Sequence, residues 1–112
     1  MDSELVTVIA FVTIAEDAPE ALAAYFKVTD PLLKRAGARI AKRFAISDVV
    51  VGNQPAQTIV IVEYPSRAAV DSVFNSPEYA GLAEIRDRAF HDYAITIVDD
   101  LAVMASPDAP TK

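Results

Sequence analysis

The stretch Thr58-Ile59-Val60-Ile61-Val62-Glu63-Tyr64-Pro65-Ser66 reads as a strand that runs into a helix. Its opening run of β-branched residues favours a strand, because such side chains are stiff and pack well on a pleated surface. Pro65 lacks an amide hydrogen and stops the strand, and Ser66 can cap a helix through Asn75 with Val70, Val73 and Phe74 inward. Ser76-Pro77-Glu78 repeats the start signal for a further helix carrying Leu82, Ile85 and Ala89, and His91 to Val98 reads as a strand again.

Upstream the same logic gives a strand from Leu5 to Ile14, then a helix start at Asp17-Ala18-Pro19-Glu20 with Asp17 as the capping residue. Leu22, Tyr25, Phe26, Thr29, Leu32, Leu33 and Ala36 recur at spacings of three and four and mark one apolar stripe that ends at Gly37. Pro31 lies inside the stripe and predicts a kink or break near Thr29 and Asp30. Ala38 to Ile46 and Gln57 to Tyr64 form two antiparallel strands joined through the turn signal at Gly52-Asn53. Residues 1–104 make one domain, and 105–112 read as a frayed tail.

The order strand, helix, strand, strand, helix, strand predicts an α+β, ferredoxin-like βαββαβ domain, a four-stranded antiparallel sheet with helices on one face. The opposite face is then open, yet the first strand is apolar on both sides: Leu5, Ile9 and Phe11 against Val6, Val8, Val12 and Ile14. Ile59 and Ile61 against Val60 and Val62 repeat the pattern. Such a face has a planar footprint of about 350 Å², near the few hundred Å² of the largest apolar patches on monomers. The loop around Val50 and the C-terminal segment could cover part of this face, and a homodimer packed through the open sheet face is the expected remedy.

At 112 residues the chain fits one domain burying roughly 65% of its unfolded surface. A net charge of -6 argues against a nucleic-acid partner, since counterion displacement needs lysines and arginines. No stretch approaches the ~20 apolar residues of a membrane span. The acidic Asp2 and Glu4 before the first apolar run do not suit a secretory signal, so a cytoplasmic protein without a membrane partner is expected. Three scattered glycines make no phosphate-cradling loop, and no Gly-x-Ser-x-Gly elbow occurs. With no cysteine and one histidine, no metal site and no cofactor are expected; haem through His91 is the one ligation left, and a strand end seldom supplies it without further help.

Tyr25, Pro31-Leu32, Gly37 to Arg43, Val62-Glu63-Tyr64-Pro65-Ser66, Ala69, Asn75-Ser76-Pro77-Glu78-Tyr79 and Arg86 together resemble the bacterial family known as domain of unknown function 1330, within the dimeric α/β-barrel superfamily. The resemblance implies a ferredoxin-like fold, a dimer with facing sheets, and a cleft between sheet and helices. Superfamily relatives bind small organic molecules or haem there, some as cofactor-free monooxygenases. Where the family has glycines after the second arginine this chain has Phe44-Ala45, and a phenylalanine there would fill pocket space.

Within that frame, pairing residues that sum to about 102 sets Arg39 opposite Glu63, whereas a tight Gly52-Asn53 turn would set Glu63 opposite Lys42. Arg39 or Arg43 then either anchors an anionic ligand or forms a structural ion pair with Glu63. His91 is the candidate catalytic base, with Tyr93 or Tyr25 as orienting donor, or else an edge residue. Tyr25, Phe26, Phe44, Tyr64, Phe74 and Tyr79 are candidates for an aromatic pocket, and Arg86 shares a helical segment with Tyr79. The expected function is a small dimeric protein acting on, or only binding, a small organic ligand in the cleft. As an enzyme it would be cofactor-independent, of oxygenase or isomerase type; otherwise it is a binding or assembly domain.

Overall fold

The computed structural model describes residues 5–99; the expected tail at 105–112 falls outside the described residues. The elements follow the order β1 (Val6–Ile14), α1 (Pro19–Ala36), β2 (Arg39–Ala45), β3 (Thr58–Tyr64), α2 (Arg67–Phe74), α3 (Pro77–Ala80), α4 (Ala83–Ala89) and β4 (Phe90–Val98). The strands form one antiparallel sheet in the order β2-β3-β1-β4. This is the expected α+β, ferredoxin-like arrangement.

Local chemistry sets most of the boundaries. Ser66 accepts from the Ala69 amide at 3.1 Å and Ser76 from the Tyr79 amide at 3.0 Å, so each serine satisfies an orphan donor at a helix start. Gly37 closes α1 with φ +75°, and the Ala38 amide reaches back to the Leu33 carbonyl at 3.0 Å, a Schellman ending that requires the left-handed conformation glycine adopts cheaply. Three expectations are corrected. The N-cap of α1 is Ala18, with no side-chain cap, because Pro19 already occupies the first turn. The helix also continues through Pro31 without a break, since Thr29 and Leu32 on either side are buried and their packing outweighs the lost hydrogen bond. The single helix expected after Ser76 is divided at Gly81 and Leu82 into α3 and α4.

The core lies between the helices and one sheet face. Val8, Val62 and Tyr64 pack there with Leu32, Val70 and Val73, and a second cluster joins Ala21 and Tyr25 to Leu82, Ala89 and Phe90. Full burial of a side chain such as Leu32 contributes about 1.5–3 kcal/mol.

Two β-bulges alter which residues share a face. In β2 the register steps from Ile40↔Val62 to Lys42↔Ile61, leaving Ala41 as the extra residue. In β4 it steps from Ile14↔Phe90 to Thr13↔Asp92, leaving His91 as the extra residue. Arg39 therefore pairs with Glu63, as the longer-loop register requires, while the residues beyond Ala41 are shifted by one. Ile9, Phe11, Ile59, Ile61 and Phe44 share the face without helices, where Phe44 is 48% exposed.

Candidate functional site

A cavity of about 180 Å³ lies between the sheet and the helices. Its floor consists of Val8, Ala10, Val12, Val60, Val62 and Ile95, which alternation places on the helix-facing side of three strands. Tyr25, Phe26, Thr29 and Leu33, at helical spacing along α1, form one wall, and Phe74 and Tyr79 form another. Arg43 and Asp30 are the charged residues that line it.

The polar centre of this apolar enclosure is a chain of phenols. The Tyr93 hydroxyl lies 2.6 Å from that of Tyr25 and 2.7 Å from that of Tyr79. Arg86 Nη1 donates to Tyr79 Oη at 3.3 Å, and its guanidinium sits 5.3 Å from the Tyr93 ring centroid and 5.7 Å from that of Tyr79, close enough for cation–π attraction. Edge-to-face contacts hold the rings: Tyr25 with Phe90 at 5.1 Å between centroids, Phe74 with Tyr79 at 5.0 Å. Three elements thus supply the three hydroxyls: α1, α3 and β4.

Burial sets the protonation of these groups. Loss of solvent pushes the Tyr25 and Tyr64 phenols up to about 12 each, and raises Tyr93 as well, with the neighbouring Tyr25 adding to the effect. The hydrogen bond to Tyr79 raises Arg86. At neutral pH Tyr25, Tyr64 and Tyr93 are therefore neutral hydrogen-bond donors, with a fixed positive charge behind Tyr79 and Tyr93. Donors of this kind stabilise negative charge that develops on a ligand oxygen.

Of the residues singled out in the sequence, Tyr25, Arg43 and Tyr79 line the cavity and Arg86 backs it. Arg39 and Glu63 form an ion pair with each other on the opposite face of the sheet. His91 lies in a separate shallow depression with Thr13, Glu16, Asp17 and Gln57, exposed to solvent and apart from the phenols. Phe44, expected to fill pocket space, faces away from the cavity because the Ala41 bulge reverses the alternation after it. Tyr93 was read as a partner of His91, but the bulge at His91 separates their surroundings. The signal for Tyr93 was its alternation with Ile95 on the helix-facing side of β4. Among the described residues no cluster of three or more His, Cys, Asp or Glu side chains is placed to hold a metal ion, and no helix is long and apolar enough to cross a membrane.

The sequence profile of the family described as Domain of unknown function (DUF1330) matches residues 7–101. The chain belongs to this family. No curated protein matches the sequence. Among solved structures, this DUF1330 chain is similar to a protein of unknown function from Rhodopseudomonas palustris, with a TM-score of 0.70 at 22% identity over 87% of this chain and 82% of that one. It is also similar to a putative antibiotic biosynthesis monooxygenase from Nitrosomonas europaea, with a TM-score of 0.58 at 12% identity over 90% and 94% of the two chains. A dimeric protein of unknown function and ferredoxin-like fold from Bacteroides fragilis aligns with a TM-score of 0.51 at 13% identity over 86% and 96%. At these identities the likeness concerns the fold, and the DUF1330 chain shares it with monooxygenase-like and uncharacterised proteins alike.

Proposed function

We propose that this protein binds and acts on a small, largely apolar organic molecule in the cavity between sheet and helices, as a cofactor-independent enzyme of isomerase or oxygenase type. The carrying observation is the Tyr25–Tyr93–Tyr79 hydroxyl chain on the wall of a largely apolar cavity, backed by Arg86. A domain serving assembly alone has no use for linked phenols in its interior, where each must find a partner or incur a desolvation cost. The alternative in which Phe44 fills the cleft loses its support, because Phe44 faces the other side. The polar chemistry therefore moves from His91 to the tyrosines, with Arg43 as the residue on the lining that attracts an anionic group.

The same reading makes the protein a homodimer. Ile9, Phe11, Ile59, Ile61 and Phe44 present an apolar face that helices of the same chain leave uncovered, and the Bacteroides fragilis neighbour of this fold is dimeric.

The test is a thermal-shift screen of compounds with about six to twelve heavy atoms, followed by methyl NMR on Val8, Val60 and Val62. Binders should raise the melting temperature, as ligands selective for the native state must, and should shift those methyl signals. A library of this size that moves none of them would reduce the protein to an assembly domain.

A further inference from the structure

Counting hydrogens on the tyrosine cluster leaves one to spare. Tyr25, Tyr79 and Tyr93 carry three phenolic hydrogens, and two hydrogen bonds join their oxygens. Each bond uses one hydrogen, so one O–H has no partner among the described residues whichever way the bonds run. Arg86 narrows the choice. A guanidinium only donates, so Tyr79 Oη is the acceptor of that bond. When Tyr79 then donates to Tyr93 and Tyr93 to Tyr25, each bond polarises the next, and the unused hydrogen is that of Tyr25. Tyr25 is 7% exposed and lines the cavity. Tyr64, 1% exposed and also on the lining, has a hydroxyl with no hydrogen-bond partner among the described residues. Buried donors of this kind are costly unless an acceptor meets them.

Size and lining restrict that acceptor. An apolar cavity of about 150 Å³ accommodates benzene, so the 180 Å³ here suits one ring with a short substituent. We infer that the cavity takes a molecule of single-ring size carrying a carbonyl oxygen, which accepts the spare phenolic hydrogen while its hydrocarbon body lies against Val8, Val60 and Val62. This rests on the proposed function and sharpens it, since an apolar cavity alone would admit any hydrocarbon of the right size.

Acetophenone and α-methylstyrene test it, because they have nearly the same shape and differ in a C=O against a C=CH₂. Both are titrated into the wild-type protein and into Tyr25→Phe and Tyr93→Phe, with the 13C resonance of carbonyl-labelled acetophenone as a second readout. The expected result is that the preference for acetophenone over α-methylstyrene falls roughly fivefold in Tyr25→Phe, the size of one neutral hydrogen bond, and by less in Tyr93→Phe, where Tyr25 keeps its hydrogen but loses the bond that polarises it. The carbonyl resonance should move downfield in the wild type, lose that shift in Tyr25→Phe and keep part of it in Tyr93→Phe, which a merely structural role for the phenols would not produce. If both compounds shift the Val8 and Val60 methyl signals but the preference and the carbonyl resonance are the same in all three proteins, the carbonyl inference is overturned and cavity binding stands. If neither compound shifts those methyl signals, cavity binding and the carbonyl inference are overturned together.

Discussion

Arg39 and Arg43, four residues apart on one strand, lie on opposite faces of the sheet: Arg39 pairs with Glu63 on the face without helices, and Arg43 lines the cavity. Strict alternation would place them together, and the extra residue at Ala41 separates them. The two arginines should therefore respond differently to substitution. Arg43→Ala should weaken binding of benzoate in the cavity by up to about fivefold, the range of a solvent-exposed charge contact, whereas Arg39→Ala should leave it unchanged. Arg39→Ala should also cost less than about 1 kcal/mol of stability, since the pair with Glu63 is largely exposed. Calorimetric titration with urea unfolding measures both, and equal losses of benzoate affinity would contradict the assigned faces.

Tyr93 joins the other two phenols, so Tyr93→Phe removes two hydrogen bonds and leaves two hydroxyls short of a partner. A loss of about 1–3 kcal/mol in unfolding free energy is expected, with the fold retained. His91→Ala, in its exposed depression, should change stability by less than about 0.5 kcal/mol and leave ligand binding in the cavity intact. A His91→Ala protein that folds but binds no cavity ligand would return His91 to the site.

Alkali should destabilise this protein before it reaches the arginines. Tyr25 and Tyr64 ionise near 10 when unfolded and at about 12 when folded. Between those values the unfolded chain has already lost protons that the folded chain retains, so stability falls as pH rises. The contribution is complete below pH 10 and lost by pH 12, at up to about 1.4 kcal/mol per pH unit for each phenol. Absorbance of tyrosinate at pH 11 should be distinctly lower for the folded than for the denatured protein; equal absorbance would mean the phenols are not buried as described.

Ile61→Lys places a charge in the centre of the uncovered sheet face, opposite Ile9 and Lys42. Sedimentation at micromolar concentration should show a dimer for the wild type and a monomer for the variant, with cavity ligands still bound. A wild type that sediments as a monomer would remove the sheet-to-sheet pairing.

Gly37→Ala should cost about 1 kcal/mol or more, because φ of +75° is strained for any side chain and a Cβ there would sit 3.3 Å from Pro65 Cγ. Urea unfolding measures it, and a neutral result would mean that the end of α1 relaxes freely.

The architecture was legible because β-branched runs, serine caps and the Gly37 stop all act within a few residues of the chain. Tyr25 was legible as a cavity-lining residue from the apolar stripe of α1 and Arg43 from its strand pattern, while Tyr79 was singled out by the family resemblance. The bulges were not, since neither Ala41 nor His91 has a glycine or proline to mark an extra residue, and each changes the facing of the residues after it. Phe44 was misread on that account. The role of Tyr93 depends on contacts with Tyr25, 68 residues away, and Tyr79, 14 away, and no local pattern carries such information. Pro31 shows the converse, a strong local signal overridden by the packing of Thr29 and Leu32.

The sheet order β2-β3-β1-β4 also bears on how the chain folds during synthesis. β1 is made before either of its neighbours, and both its edges stay unpaired until Thr58–Tyr64 and then Phe90–Val98 have been translated. Pairings over such separations form slowly, because the closure entropy must be met before any contact repays it. A nascent chain stalled before β4 would carry an apolar ribbon with one bare edge, a form that chaperones should retain and that self-associates when they are lacking.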